Sequence, residues 1–352
     1  MRRTVKLTDR LSLAALSLLL LATGCLSNPV ARPMDTMAPE SDLAASIRRL
    51  FLQITIWDAL ILLVVLVSFT VAFFFFSTRV GEAAPAQTAG AGLGLEAAFV
   101  IGPALVLLMI SIPTVQIVFS TQRLEAPPEA LEVRVIGHQW WWEFQYPELS
   151  IDTANEVHIP AGRPVRFLLT SDDVIHSFWI PRLGGKRDCI PAHVNQLTLI
   201  ARTPGDYYGV CAEFCGTSHA NMRLRVEVDA PDVFAAWTDD QRSVPVVVEA
   251  AGEARHGTQA GELIFANAPC TSCHAIAGLS SGRSAPNLTH VGSRKTIAGL
   301  LTNTPDTLAA WIRNPQSIKP GALMPPLNPT LLAVVSATVT VRIFTVLSPP
   351  TA

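Results

Sequence analysis

The sequence predicts a multidomain membrane protein that combines a two-helix transmembrane hairpin, an all-β barrel or sandwich and an all-α domain. Hydrophobic residues make up 49% of the 352 residues and charged residues only 15%, a low charge content for a purely soluble chain. This apolar excess lies in the first third of the chain, short β-rich runs fill the middle, and short helices with Gly- and Pro-rich loops follow. The net charge of −2 gives no basic surface for nucleic acid.

Residues 1–25 are predicted to be an export signal. Arg2, Arg3 and Lys6 form a basic start, residues 11–21 an apolar stretch, and Ala-Thr-Gly before Cys25 a small-residue cleavage site. A cysteine at this point is typical of a bacterial lipoprotein signal, in which Cys25 is lipidated and becomes the new N-terminus. The alternatives are an ordinary signal peptide or an uncleaved anchor.

Residues 45–124 are predicted to form the transmembrane hairpin. The runs 59–76 and 97–122 carry no charged residue, and each suits a hydrocarbon core that needs about 20 helical residues. Pro103 and Pro113 in the second run are better tolerated in a membrane helix than in a soluble one. With the signal processed outside, two crossings return the chain to that side. We therefore expect a bacterial inner-membrane protein whose later domains face the periplasm.

Residues 128–230 are predicted to form the β domain, because short β-rich runs alternate there with turns. The predicted strands cover 131–136, 156–159, 165–170, 196–201 and 223–228. Residues 231–256 show no strong periodicity of apolar residues and are interpreted as a linker. Residues 257–352 are predicted to form the all-α domain, with helices over 261–266, 305–314 and 330–347.

The all-α region contains a C-x-x-C-H motif formed by Cys270, Cys273 and His274. This motif is the attachment signature of a c-type haem, whose vinyl groups take the two thiols and whose iron takes the histidine. We expect Met324 as the second axial ligand, since a thioether opposite histidine suits an electron carrier. His290 is the other usual ligand type, but it lies close to the attachment site in sequence. The alternatives are a redox disulfide and half of a zinc site. A redox disulfide of the thioredoxin type would need a βαβ context, which is absent here, and a zinc site would need a second pair of ligands nearby.

The β region contains a cluster of soft metal ligands. Cys215, His219 and Met222, with His176 upstream, match a blue-copper ligand set. Cys211 is one thiolate too many for such a site, but two cysteines four apart can bridge two copper ions, each with one histidine. A Cys211–Cys215 disulfide and a structural Cys₂His₂ zinc site are the alternatives. Neither accounts for Met222 on the same loop.

Three motifs together resemble subunit II of the haem-copper cytochrome c oxidases: GHQWWW at 137–142, DVIHSFW at 173–179 and CAEFCGTSHANM at 211–222. The helix hairpin, with Glu96 opening its second helix, fits this family too. The C-x-x-C-H region resembles the caa-type members, which carry a fused C-terminal cytochrome c domain.

The resemblance implies a cupredoxin-like barrel with a binuclear copper centre, CuA. Its ligands would be the side chains of His176, Cys211, Cys215, His219 and Met222 and the backbone carbonyl of Glu213. The Glu213 carboxylate would face a magnesium or manganese ion shared with subunit I. Trp140 would be the residue through which electrons reach CuA, and Asp173 would orient the copper loop or the subunit I contact.

Three positions depart from the family pattern. Cys189 replaces a small apolar residue and is interpreted as a buried free thiol, and Ala192 replaces a glycine. The run 331–347 is β-branched and nearly uncharged, where the family closes with an amphipathic helix bearing aromatic residues.

The implied function is electron transfer in an oxidoreductase complex, a proton-translocating cytochrome c oxidase. Electrons would pass from cytochrome c or the cytochrome bc complex through the chain's haem c and CuA to oxygen-reducing subunit I, with further oxidase subunits as partners. The alternatives are a CuA subunit of a nitric oxide reductase-like complex and a copper-delivery or metal-storage lipoprotein. A quinol oxidase subunit is disfavoured because that relative lacks the copper ligands.

Overall fold

The computed structural model describes residues 33–75, 92–121, 127–243 and 263–327. The predicted signal with Cys25 and the predicted helix at 330–347 lie outside these ranges. The described residues form a helix pair, a β sandwich and a C-terminal region with little regular structure.

The two long helices are α1, Asp42–Phe75, and α2, Leu93–Thr121. They cover residues 59–75 and 97–121 of the predicted apolar runs, and both begin earlier than those runs. Their large apolar side chains point outward, as at Phe69 and Phe99, each 71% exposed. Apolar side chains without protein cover are stable in hydrocarbon, and both helices are long enough to cross a bilayer.

The start of α1 is anchored in the β sandwich. The Asp42 carboxylate accepts a hydrogen bond from the backbone N–H of Ile200 at 2.8 Å. The Ser41 hydroxyl donates to the carbonyl of Leu183 at 2.5 Å, and the side chain of Leu43 is buried. These contacts join the sandwich directly to the first membrane helix.

The sandwich consists of two five-stranded sheets in the orders β3-β2-β1-β5-β8 and β4-β10-β9-β6-β7. The pairs β1–β5 and β4–β10 are parallel, and the other neighbours are antiparallel. The strands are β1 Leu131–His138, β2 Trp141–Tyr146, β3 Ile151–Ala154, β4 Glu156–Pro160, β5 Pro164–Ser171, β6 His176–Trp179, β7 Arg187–Cys189, β8 Asn195–Ile200, β9 Gly205–Cys211 and β10 Arg223–Asp229.

The core between the sheets is built by alternating side chains of period two. In β5 every second residue is buried, and Phe167 of this strand packs against Phe178 of β6 at 5.4 Å between ring centroids. The five predicted strands are present, each extended or shifted by a residue or two. The other five strands lie outside the predicted runs: β3 and β7 have only four and three residues, and β6 and β9 begin or end at a predicted metal ligand.

The interpretation of 231–256 as a linker is wrong for its first half, which forms helix α3, Pro231–Arg242. Pro231 stands in the first turn, a favourable position for proline because its missing N–H is not needed there. Phe234 is buried on the sandwich, and the Trp237 ring stacks on His158 at 4.3 Å. Two aromatic residues three positions apart therefore hold this helix against the sandwich, although its sequence shows only a weak helical period of apolar residues.

The described part of the C-terminal region, 263–327, contains short helices and two two-stranded hairpins; it shows no distinct all-α domain. Its elements are a short helix at 263–267, α4 Cys270–Cys273, β11 Ala275–Ile276, β12 Ser280–Ser281, β13 Thr296–Ile297, β14 Leu301–Thr302, α5 Pro305–Arg313 and α6 Pro315–Ile318. Val291, Ile297 and Leu308 form its small buried cluster.

Ionic and polar contacts join this region to the sandwich. The buried Glu156 carboxylate accepts hydrogen bonds from the backbone N–H groups of Lys295 and Thr296 at 2.9 and 2.6 Å. The Lys295 ammonium contacts carboxylate oxygens of Asp206 and Glu227 at 2.9 and 2.5 Å. The C-terminal region is therefore seated on the sheet that contains β9.

Candidate metal centres

The predicted copper ligands meet at one end of the sandwich. His176 begins β6, and Cys211 ends the neighbouring strand β9, where it pairs with Phe178. The loop from Cys211 to Met222, here called the copper loop, then turns back through a short 3₁₀ segment beginning at His219. Two adjacent strand ends and one loop thus bring together residues that are 46 positions apart in sequence.

The donor atoms form a compact cluster. The Sγ atoms of Cys211 and Cys215 lie 3.8 Å apart. The Nδ1 of His176 lies 3.8 Å from Cys211 Sγ, and the Nδ1 of His219 lies 3.6 Å from Cys215 Sγ. Met222 Sδ is 3.9 Å from Cys215 Sγ. Each histidine therefore accompanies one thiol, an arrangement with two similar halves.

The backbone of Glu213 supplies a sixth donor. Its carbonyl oxygen lies 3.2 Å from Cys211 Sγ. The Glu213 side chain itself is exposed, and the neighbouring Phe214 is 78% exposed. The carbonyl thus faces the thiols while the carboxylate remains accessible at the rim of the site.

The two thiols differ in proton affinity although they are neighbours. The hydrogen bond from Cys215 lowers the pKa of Cys211, and contact with His176 lowers it further. The same contact with Cys211 raises the pKa of Cys215, because two adjacent thiolates repel each other. A cation between the sulfur atoms would remove this repulsion, so the pair is suited to lose both protons to a metal.

Asp173 orients one of the histidines. Its carboxylate contacts His176 Nε2 at 2.7 Å and accepts a hydrogen bond from the Gln139 backbone N–H at 2.5 Å. Burial opposes protonation of His176, but its hydrogen bonds to Cys211 and Asp173 outweigh this effect and raise its pKa. With Nε2 engaged by Asp173, Nδ1 faces the thiols. Asp173 thus contacts a residue of β6 rather than the copper loop itself, and its expected role in orienting that loop stays a prediction.

The donor set fits copper better than the alternatives. A sulfur–sulfur distance of 3.8 Å exceeds the bond length of about 2.05 Å in a disulfide, and the two cysteines are free thiols. Structural zinc takes four ligands, whereas this site offers five side-chain donors and a carbonyl. Two thiolates, two imidazoles and a thioether are soft and borderline ligands that copper favours. The buried grouping of His176, Cys211 and Cys215 by itself could hold a metal ion.

The predicted haem-attachment residues lie together in the C-terminal region. Cys270 and Cys273 begin and end α4, and His274 follows directly. His274 Nδ1 donates to the Pro286 carbonyl at 2.7 Å, because a carbonyl can only accept. This bond leaves Nε2 as the free lone pair, the tautomer that an axial ligand needs. Burial lowers the pKa of His274 and keeps the imidazole neutral.

The predicted second axial ligand, Met324, and the disfavoured alternative, His290, occupy different environments. Met324 is half-buried after α6, next to Leu323, which is 87% exposed. The ring nitrogens of His290 are buried and have no hydrogen-bond partner among the described residues.

Trp140 lies between the copper loop and the C-terminal region. Its indole Nε1–H donates to the Cys215 carbonyl at 2.9 Å, and only 9% of the residue is exposed. A Cβ atom on Gly216 would lie 3.0 Å from one edge of the ring, and a Cβ on Gly321 would lie 2.8 Å from another. Two glycines therefore let backbone from both regions contact the indole directly.

No sequence motif singles out Lys319, which is 3% exposed. Its ammonium donates to the carbonyls of Trp140 and Ala298 at 2.8 and 2.7 Å. Burial lowers the pKa of Lys319 to about 7. A lysine directly before Pro-Gly resembles an ordinary surface turn, so only the tertiary structure identifies its role.

The two departures in the β domain have a structural explanation. Cys189 is a fully buried thiol in β7, and burial raises its pKa beyond the range in which it would ionise. Ala192 has a φ of 60°, a left-handed conformation that glycine adopts more readily. The glycine expected there thus matches the backbone that the alanine adopts.

Comparison with known proteins shows the family. Residues 148–229 match the family model described as cytochrome C oxidase subunit II, periplasmic domain. The chain is 33% identical over 312 residues to cytochrome c oxidase subunit 2 of Alkalihalophilus pseudofirmus, covering 88% of this chain and 89% of the relative. The corresponding protein of Bacillus subtilis is 32% identical over 337 residues, covering 89% and 90%.

A solved structure also matches part of the chain. The periplasmic domain of subunit II of cytochrome oxidase from Bradyrhizobium japonicum is 30% identical and covers 34% of this chain and 97% of its own, with a TM-score of 0.33. The near-complete match to the Alkalihalophilus and Bacillus proteins, together with the CuA residues His176, Cys211, Cys215 and Met222, shows a cupredoxin-like domain on a membrane hairpin. The chain therefore belongs to the cytochrome c oxidase subunit 2 family, the CuA-bearing electron-transfer subunits of haem-copper oxidases that function beside subunit I.

Proposed function

We propose that this chain has two redox sites and passes electrons from a fused cytochrome c domain to a binuclear copper centre and on to subunit I. The convergence of five donor groups of the copper loop with His176 of β6, and the contact of Trp140 with both that loop and the C-terminal region, carry the proposal. The domains are the cupredoxin unit 128–230 and the cytochrome unit 257–352. Oxygen reduction belongs to the partner subunit.

Copper would be held by residues that the sandwich brings together without the metal. Two copper ions would be held by the thiolates of Cys211 and Cys215, the imidazoles of His176 and His219, the Met222 thioether and the Glu213 carbonyl. Copper held by these groups would supply a one-electron redox couple. Asp173 holds the His176 ring at 2.7 Å and so fixes its orientation.

Haem would be held by the thiols of Cys270 and Cys273, with His274 and Met324 as the axial ligands. The Pro286 carbonyl fixes the His274 ring at 2.7 Å, which preserves Nε2 for the iron.

Trp140 is proposed as the residue through which electrons enter the copper centre. It contacts Gly321 of the C-terminal region on one side and bonds the Cys215 carbonyl at 2.9 Å on the other. A single indole therefore joins a copper ligand to the region that contains the haem motif. Cytochrome c or the cytochrome bc complex would be the external electron donor.

The exposed Glu213 carboxylate is proposed to face subunit I through a shared magnesium or manganese ion. The carboxylate is accessible, as such a contact requires. We also propose that the copper and haem regions lie on the periplasmic side of the inner membrane, with Cys25 lipidated.

The full-length protein, purified in detergent, tests both sites. We expect two copper ions and one covalent haem per chain, with a mixed-valence two-copper signal in the EPR spectrum. Copper without that mixed-valence signal would sink the binuclear assignment, and haem lost on acid extraction would sink the attachment assignment.

Substitution of Met324→Leu tests the second axial ligand. We expect the haem to stay attached but to bind carbon monoxide readily, because the iron loses its thioether ligand, and its reduction potential to fall. The copper EPR signal should not change. Met37→Leu, at an exposed position before α1, is the matched control. Carbon monoxide binding and potential equal to those of the wild type would count against Met324.

A further inference from the structure

Three consecutive residues of the C-terminal region, Lys319, Pro320 and Gly321, contact the sandwich beside the copper loop; we call them the docking strap. The Lys319 ammonium donates to the Trp140 carbonyl at 2.8 Å. The Pro320 carbonyl accepts a hydrogen bond from Ser218 Oγ, in the copper loop, at 2.5 Å. Gly321 packs against the Trp140 ring. The strap thus contacts both Trp140 and the loop that holds Cys215 and His219.

The strap is also braced within its own region. The Gly321 backbone N–H donates to Gln316 Oε1 at 2.8 Å, and the Lys319 ammonium donates a second bond to the Ala298 carbonyl at 2.7 Å. Lys319 therefore links the region that carries the strap to the sandwich through one side chain. The strap ends three residues before Met324.

A charged lysine is costly to bury without a carboxylate partner. In the ranges that the structure describes, Lys319 forms no salt bridge, and its donors go to two main-chain carbonyls. Such bonds depend strictly on distance and direction. Since one Nζ atom bonds a carbonyl of each region, the two bonds hold the Trp140 and Ala298 carbonyls close together and so restrict the relative position of the two regions.

We propose that the docking strap holds the Met324-bearing segment against Trp140 and thereby sets the rate at which electrons pass from the C-terminal region to the copper centre. Lys319 and Gly321 are positioning residues in this step: Lys319 sets the register of the contact, and the missing side chain of Gly321 sets its closeness. The inference rests on the proposed haem and copper sites and adds which residues couple them.

The alternative is that the strap only strengthens the binding of the C-terminal region to the sandwich, which we call adhesion. Adhesion is also provided at a second contact by Lys295, whose ammonium bonds Asp206 and Glu227 at 2.9 and 2.5 Å. If adhesion alone mattered, loss of either lysine would have a similar effect on electron transfer. If position at Trp140 matters, only the strap variants should slow it.

The test compares Gly321→Ala with Gly278→Ala in the full-length, metal-loaded protein. Both glycines have a left-handed backbone, with φ of 83° and 76°, so alanine imposes similar strain at either position. The added methyl group would lie 2.8 Å from Trp140 at position 321, whereas nothing lies within 4 Å of it at position 278. The pair therefore isolates the contact with Trp140 from backbone strain.

Two measurements are made on the wild-type protein and on each glycine variant, and only the first on the lysine variants. The first is the rate of electron transfer from haem to copper after rapid reduction of the haem, followed by visible absorption. The second is modification of the Lys319 amine by an amine-reactive reagent, read by mass spectrometry and independent of any redox activity. The Lys295 side chain, 48% exposed, serves as the internal reference for labelling.

We expect Gly321→Ala to slow transfer by roughly tenfold, because small displacements of reacting partners are costly, and to increase labelling of Lys319. Lys319→Met keeps a side chain of similar length but removes the ammonium donor, so this variant should also slow electron transfer. Gly278→Ala and Lys295→Met should leave the rate near that of the wild type.

Unchanged transfer rates in both Gly321→Ala and Lys319→Met, with haem and copper fully loaded, would overturn the strap. An equal slowing in Lys295→Met would also overturn it, in favour of adhesion alone. A wild-type protein without covalent haem would instead overturn the proposed function, and the haem content shows this before any rate is measured.

Discussion

The copper loop and the C-terminal region differ in how much of a metal centre the polypeptide builds by itself. At the copper site, four side chains and a carbonyl of the copper loop converge with His176 of β6, and Cys211, Cys215, Met222 and His176 are buried. In the C-terminal region, the Cys273 side chain is exposed, Met324 is half-buried and Leu323 is 87% exposed. The copper ligands are held in place by the sandwich, whereas the proposed haem ligands lie in a region with only a small hydrophobic core.

This difference follows from the core available to each region. The sandwich packs aromatic rings of Trp142, Phe144, Phe167 and Phe178 between its sheets, and all four are fully buried. The C-terminal cluster contains three buried side chains. Small domains with so little apolar burial usually need a further stabilising group. A haem attached at Cys270 and Cys273 would supply that apolar surface, so we expect the cofactor to be part of the fold there.

The largest effect expected on the copper side comes from Cys215→Ser. The Cys215 sulfur lies within 4 Å of Cys211, His219 and Met222, so its loss removes the atom that joins the two halves of the site. We expect complete loss of the two-copper EPR signal with the barrel still folded, measured by copper content and EPR. Cys189→Ser, at a buried thiol outside the cluster, is the control and should keep the signal. Retention of the signal in Cys215→Ser would contradict a bridging role.

The next effect concerns the C-terminal region. We expect Cys270→Ala combined with Cys273→Ala to abolish covalent haem and to make residues 263–327 sensitive to protease, because the three-residue cluster cannot stabilise the region. The copper signal should persist, since its ligands belong to the sandwich. Limited proteolysis with mass spectrometry measures the first result and EPR the second. A protease-resistant variant without haem would show that this region builds its own core, and the contrast between the two sites would fail.

The same contrast explains how far the sequence alone was informative. Local motifs predict the cluster of proposed copper ligands, because Cys211, Cys215, His219 and Met222 lie on one loop and only His176 comes from elsewhere. The C-x-x-C-H motif is equally local. Residues that act through tertiary contact escaped notice: Lys319 and Gly321 contact Trp140 about 180 positions away. Their importance depends on packing between regions, which neither spacing nor composition encodes.

Secondary structure shows a similar division. The membrane helices follow from long uncharged runs, a signal that needs no tertiary information. Helix α3 was mistaken for a linker because two aromatic contacts, through Phe234 and Trp237, stabilise it rather than a regular apolar stripe. Five of the ten sandwich strands lie outside the predicted runs, and two of these, β6 and β9, carry the proposed copper ligands His176 and Cys211 at their ends.

The smallest expected effect tests whether the copper site depends on its local frame or on the whole sandwich. Trp237 of α3 contacts Tyr146 at 5.4 Å and His158 at 4.3 Å between ring centroids, within a part of the fold that supplies none of the copper ligands. We expect Trp237→Ala to destabilise the domain by about 2 kcal/mol, at the low end for loss of a large side chain because Trp237 is only half-buried. Thermal unfolding, monitored by loss of the copper absorption band, measures this change.

Val233→Ala, at an exposed position of the same helix, is the control and should have little effect on thermal stability. The EPR parameters of folded Trp237→Ala should equal those of the wild type, because Asp173, Trp140 and the ends of β6 and β9 position the ligands locally. Altered EPR parameters would mean that the copper geometry is set by packing throughout the sandwich, and the contrast between a locally built copper site and a haem-dependent C-terminal region would have to be redrawn.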